Sequence, residues 1–206
     1  GKTTIAELIM RMYDVSSGSI KIDGEDIRAW NTGNLRAQIG YVPQDVFLFS
    51  ETVEENIAFG MKETNVEDVK LFAKRASVHE EIERFPQQYQ TILGERGVTL
   101  SGGQKQRISI ARALIKQPCM LILDDCLSAV DVATEKAIQQ ELSQSIKGKT
   151  TIVITHRIFS FMQFNKIIVL NDGQIAEMGT HEELLQKSGI YQTLFELQKH
   201  SEQPIT

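Results

Sequence analysis

The sequence predicts an α/β fold built on a mostly parallel core sheet, and three observations carry the prediction. Cys119 to Leu123 is an unbroken apolar run, which suits a strand buried on both faces of a parallel sheet. Two acids, Asp124 and Asp125, follow it at once, where open α/β sheets place their ligands. The chain opens Gly1, Lys2, Thr3, Thr4 and continues with a helical apolar pattern through Ile5, Leu8, Ile9 and Met12, as a helix does after a phosphate-binding loop.

Taken in order, the opening helix is expected from Lys2 to about Tyr13. A short β segment should span Ser19 to Asp23 and close at the turn residue Gly24. A strand at Ile39 to Val42 stops at Pro43, which has no N–H to donate. From about 53 to 116 the pattern is mainly helical, interrupted at Gly60, Pro86 and the glycine cluster from Gly94 to Gly103, and it reads as an inserted helical subdomain. Ser101 is placed to cap its last helix, which would offer the N–H groups of Gly102, Gly103 and Gln104 to an anion. After the Asp124 strand come a helix from Val132 to Ile146 and a strand from Thr150 to Thr155. A hairpin joins Lys166–Leu170 to Gln174–Glu177 through Asn171, Asp172 and Gly173, and two amphipathic helices separated by Gly189 complete the chain from Thr180 to His200.

Composition bounds the function. With 206 residues, 41% hydrophobic and 24% charged, the chain can bury one sizeable core. It has no apolar run near the roughly 20 residues that span a bilayer. A net charge of −5 without a long basic stripe argues against nucleic acid as a partner. Cys119 and Cys126 fit neither a redox pair nor a zinc site, and the reading is a reducing cytosol. His79, His181 and His200 lack metal-ligand spacing and are assigned no role.

The residues that carry chemistry are few. Asp124, at a strand end, could hold a hydrated Mg²⁺, although a carboxylate pair there could equally be a solvated strand end. Gly1, Lys2 and Thr3 match the last three positions of the P-loop pattern G-x-x-x-x-G-K-[ST], in which backbone N–H groups wrap phosphates and the lysine neutralises them. The tripeptide alone is weak, and its weight comes from the Asp124 strand downstream. The missing initiator Met suggests that further sequence lies upstream.

The order of these pieces resembles the nucleotide-binding domain of an ATP-binding cassette (ABC) transporter of the exporter type, over nearly the whole chain. The matching segments are a Walker A remnant (Gly1 to Thr4), a Q-loop ending at Gln44, and TILGERG (Thr91 to Gly97), similar to the exporter X-loop. The signature LSGGQ (Leu100, Ser101, Gly102, Gly103, Gln104), the Walker B strand ending at Asp124, a D-loop from Ser128 to Asp131 and the switch histidine His156 follow. The resemblance implies a P-loop NTPase fold of the ABC ATPase type, with a partial antiparallel β subdomain and the helical signature subdomain.

It also implies ATP and Mg²⁺ as ligands. Lys2 would contact the β and γ phosphates, with Gly1 and Thr4 beside it; Thr3, Gln44 and Asp124 would serve the metal, and Gln44 and His156 the γ-phosphate. Ser101 and Gly103 would act on ATP held by an opposite subunit, so that two domains sandwich two nucleotides. Glu95 and Arg96 would pass the motion to a transmembrane domain, expected upstream in the same polypeptide. The whole would then sit at the cytoplasmic face of the plasma membrane.

One departure matters. The family usually has Glu after the Walker B Asp, to orient and deprotonate the attacking water, whereas this chain has Asp125. Retracting that carboxylate by more than an ångström can cost on the order of a hundredfold in rate. The expectation is a slow site on the chain's own Walker motifs beside an intact signature, as in the weaker half of heterodimeric exporters, whose partner carries Glu. A homodimer in which Asp125 suffices, a nonhydrolysing regulatory dimerisation module and a soluble ABC ATPase are the alternatives. The ITHR, MGTHEEL (Met178 to Leu184) and GERG segments favour transport over the last.

Overall fold

The computed structural model describes residues 1–94, 99–127, 130, 132–158 and 164–201. The chain divides into two compact units, one from Thr3 to Ile154 and one made of Gly1–Lys2 with Thr155–Thr206.

The larger unit is organised by a three-stranded parallel sheet, in the order β3 (Ile39–Val42), β4 (Met120–Asp124), β5 (Thr150–Ile154). Its centre is β4, where Leu121, Ile122 and Leu123 are almost fully buried, as their unbroken apolar run requires. Before it lie helix α1 (Lys2–Ile9), the two-residue strands β1 (Lys21–Ile22) and β2 (Glu25–Asp26), and helix α2 (Thr32–Ala37). Asp23 and Gly24, both at positive φ, make the tight turn between β1 and β2. One core cluster joins Ala6 and Met10 to Leu35, Ile39, Ile122 and Ile154.

Two expected boundaries move. Helix α1 ends at Ile9, not near Tyr13, because Arg11 turns left-handed at φ 50° and the Arg36 guanidinium takes the carbonyls of Met10 and Arg11 at 3.0 and 2.7 Å. The segment expected at Ser19 to Asp23 is only the two residues of β1, paired with β2 across the turn.

Between β3 and β4 the chain forms α3 (Val53–Ala58), α4 (Val66–Arg75), α5 (His79–Ile82) and α6 (Gly102–Ile115), with α7 (Val132–Ser145) between β4 and β5. Helix α6 packs on α3, α4 and β3. At Gly40 in β3 a Cβ would stand 2.8 Å from Pro118 Cγ and 2.9 Å from the Ala113 carbonyl, so glycine permits the close approach of α6 to the sheet. Residues 51–53 run beside 91–93: Leu93 N–H bonds Glu51 O at 2.9 Å and Val53 N–H bonds Thr91 O at 3.0 Å.

The smaller unit holds an antiparallel hairpin, β6 (Ile167–Asn171) and β7 (Gln174–Gly179), closed by Asp172 and Gly173 at φ 47° and 77°. Helices α8 (His181–Gln186) and α9 (Ile190–Ser201) pack on β7. Thr180 and Glu183 form a capping box on α8, and the Glu177 carboxylate accepts from the N–H groups of Ile190 and Tyr191 at the start of α9.

Candidate functional site

Strand β4 delivers Asp124 to its C-terminal end, 1% exposed, and no hydrogen-bond donor among the described residues reaches its Oδ2. A buried carboxylate oxygen without a donor is costly unless a cation or ordered water completes it. Burial first, then the charges of Asp124 and Glu7, push the phenol of Tyr41 on β3 up to about 12. Gln44 is exposed two residues beyond β3, and Thr3 and Thr4 lie in the first turn of α1. The oxygens of Asp124, Thr3 and Gln44 are the hard donors that Mg²⁺ prefers. Among the described residues no group of three or more His, Cys, Asp or Glu could hold a metal ion.

Asp125 follows in the left-handed region at φ 44°, a conformation that Asp tolerates better than most residues. Its N–H bonds Ile154 O at 2.8 Å, one step beyond the Asp124–Ile154 pair of the ladder, so its backbone is tied to β5.

Ser101 caps α6 with φ −65° and ψ 161°. Its Oγ accepts from Gln104 N–H at 3.2 Å, and its own N–H bonds Gln104 Oε1 at 2.9 Å, a reciprocal capping box. The Ser101 hydroxyl thus keeps its proton to donate. The first N–H groups of a 14-residue helix lie beside it, and the positive end of the helix dipole points the same way. This end can hold an anion. Leu100, 6% exposed, anchors the approach to it.

A cleft of about 330 Å³ lies between the residues after Gln44 and those before the signature, with Val46, Phe47 and Leu48 on one wall and Leu93, Thr99 and Leu100 on the other. Its first wall hangs on Arg112. That guanidinium donates to Phe47 O at 2.9 Å, Asn56 O at 2.7 Å and Asn56 Oδ1 at 2.9 Å, and lies 5.7 and 5.8 Å from the ring centres of Phe49 and Phe59. Burial pulls the Arg112 pKa down to about 10, which leaves it charged at neutral pH. Asn56, fully buried, fastens the same loop through Phe49 N–H and the carbonyls of Phe49, Glu51 and Thr52. Sequence reasoning missed both residues; the signal was an arginine and an asparagine set among apolar helix positions.

In the smaller unit, Lys2 Nζ donates to Thr155 O at 3.0 Å and lies 3.2 Å from Nδ1 of His156. Lys2 and His156, two of the three residues assigned from sequence to the γ-phosphate, are therefore together. Gly1 is exposed beside Lys2. Of the other assigned positions, Glu95, Arg96, Ser128 and Asp131 lie outside the described residues. Among the described residues no helix is long and apolar enough to cross a membrane.

Comparison with known proteins follows the same lines. Residues 1–128 match the family model for ABC transporters. The chain is 49% identical over 96% of its length to the mitochondrial potassium channel ATP-binding subunit of Mus musculus, and 43% identical over 98% to human ATP-binding cassette sub-family B member 6. It spans 28% and 24% of the lengths of those relatives. Among solved structures, a bacterial Atm1-family ABC exporter with ATP bound superimposes with a TM-score of 0.92 at 43% identity, over 97% of this chain and 35% of that one.

Proposed function

Because the chain belongs to the ABC transporter family, we propose that it is the ATP-binding and ATP-hydrolysing motor domain of an exporter, closing on a second such domain around two Mg-ATP. The observation that carries the reading is Asp124, a buried carboxylate at the end of the central strand with one oxygen that no donor among the described residues reaches. Mg²⁺, held by Asp124 through water, by Thr3 and by Gln44, would neutralise phosphate charge when bound.

The chain's own residues do the rest. Lys2 leaves the Thr155 carbonyl to hold the β and γ phosphates, and His156 holds the γ-phosphate and the attacking water. Asp125 orients that water and accepts its proton, from a position one methylene short of the usual Glu. Ser101, with its hydroxyl proton and the N–H groups of Gly102 and Gly103, grips the γ-phosphate of the nucleotide seated on the partner. The Gln44 loop, fixed to α6 by Arg112, moves with the signature helix. A transmembrane segment of the same polypeptide would seat in the cleft lined by Phe47 and Leu100, and Glu95 and Arg96 would pass the motion to it. That segment would put the domain at the cytoplasmic face of a membrane.

We further propose that the chain works as the slow half of a heterodimer whose other subunit carries Glu at the end of Walker B. In the assembled transporter, Ser101→Ala should then cut ATP turnover more than Asp125→Asn does. A larger loss from Asp125→Asn removes the asymmetric reading and leaves a homodimeric pump. A nonhydrolysing regulatory module is the second reading, favoured by Asp125 itself; ATP-dependent dimerisation without turnover in any pairing would establish it.

A further inference from the structure

We propose that Glu81, on α5, is a positioning residue for the signature serine, acting on the nucleotide site of the opposite subunit; the inference rests on the trans role of Ser101 given above. The Glu81 carboxylate is shared. Its Oε2 accepts from Gln104 Nε2 at 2.8 Å and its Oε1 from the Arg107 guanidinium at 2.5 Å. Arg107 is 6% exposed on the next turn of α6, and the Glu81 side chain is 34% exposed.

The consequence lies in the Gln104 amide. Its oxygen must face Ser101 N–H to close the capping box, and its NH₂ must face away. An amide can be turned over with little change of shape, so a cap built on Gln is only as well oriented as the group that takes its NH₂. Glu81 is that group: as a carboxylate it only accepts, so it binds the NH₂ and repels the oxygen. With the amide fixed, Ser101 Oγ stays with Gln104 N–H and its proton stays available for a phosphate. Helix α5 thereby sets the direction of a hydroxyl it does not touch, three links away.

Glu81→Gln is the informative change, because it keeps shape and removes only the double acceptor. The new side chain has one oxygen and one NH₂. Arg107, buried and charged, takes the oxygen, and the NH₂ then confronts the NH₂ of Gln104. The amide turns over, and the bond from Ser101 N–H is lost.

The test is ATP turnover of the assembled transporter in four forms: unaltered, Glu81→Gln, Ser101→Ala and both, with circular dichroism to show that each is folded. The expected result is about a tenfold loss for Glu81→Gln, the equivalent of one lost hydrogen bond to a charged network. No further loss is expected when it is added to Ser101→Ala, since the effect passes through the serine. Full turnover in Glu81→Gln beside an impaired Ser101→Ala overturns the inference alone. Equal losses in both backgrounds overturn it too, as they show a merely structural acid. Full turnover in Ser101→Ala overturns the trans role of the signature and this inference with it.

Discussion

Replacing Asp125 by Glu should accelerate the chain's own site about a hundredfold. The added methylene extends the carboxylate by about 1.5 Å. A misplacement of about 1 Å at a reacting group is worth about a hundredfold, or about 2.7 kcal/mol of barrier. The backbone cannot easily make up the difference in the native chain, because Asp125 N–H is bonded to Ile154 O at 2.8 Å and the strand before it is paired along its length with β5. The cost falls elsewhere: at φ 44° a longer side chain is less comfortable than Asp, and about 0.5 to 1 kcal/mol of stability should be lost. The assay must separate the two sites of the proposed heterodimer, and Ser101→Ala does so by disabling the site the chain serves in its partner. In that background the residual turnover is that of the Asp125 site, and Asp125→Glu should raise it by about two orders of magnitude. A change of less than about threefold, with the variant folded, would mean that reach at this position does not limit hydrolysis.

Four other outcomes are expected. Asp124→Asn removes a buried charge whose Oδ2 no donor among the described residues reaches, so it should stabilise the nucleotide-free protein by about 1 kcal/mol in a urea titration while abolishing Mg-dependent turnover; loss of both stability and activity would contradict the account of that oxygen. Arg112→Lys keeps the charge but not the fork that reaches Phe47 O and both oxygens of Asn56, and it should lower the unfolding free energy by about 2 kcal/mol; a loss below about 0.5 kcal/mol would show that the loop is held by other means. Exposed Cys119 should react with a thiol reagent at pH 8 in the native protein, whereas Cys126, whose thiol burial pushes up to about 12, should react only after unfolding, which peptide mass mapping would show. The folded states of Cys126 and Tyr41 both favour the protonated form. Their contribution to stability is therefore complete below about pH 9 and is lost as pH rises toward 12, which alkaline melting curves would register.

How much of this could be read from the sequence depended on whether the cause was local. The strands at Ile39–Val42 and Met120–Asp124 follow from apolar runs, and the Ser101 cap from a serine at the head of a helical pattern, because run and cap are properties of a few consecutive residues. The early end of α1 was not legible: what takes the carbonyls of Met10 and Arg11 just past it is Arg36, 26 residues beyond Met10. Arg112 and Asn56 stand 56 residues apart, and each makes sense only when the other is in place. The same holds for Glu81, whose meaning comes from Gln104 and Arg107 on another helix. At Asp125 the chemistry of the substitution was legible, but its left-handed backbone and its bond to Ile154 were not.

The unspent hydrogen-bonding capacity of the larger unit gives the last argument for a shared nucleotide. At the signature the Ser101 oxygen, the Ser101 N–H and both ends of the Gln104 amide have partners, which leaves the hydroxyl proton and the first helical N–H groups as the donors to offer an anion among the described residues. At the end of β4 the reverse holds, since Asp124 Oδ2 is an acceptor that no donor among the described residues reaches. One surface therefore needs an anion and the other a cation. Mg-ATP carries both in one ligand, and in the proposed dimer each nucleotide would take the acceptor end of one subunit and the donor end of the other. Such a dimer holds two nucleotides, and Ser101→Ala should weaken its ATP-driven formation without lowering the first subunit's affinity for Mg-ATP. Sedimentation of the ATP-bound variant would report the first quantity and calorimetry the second, and a parallel fall in both would place the serine's donor on the nucleotide of its own subunit.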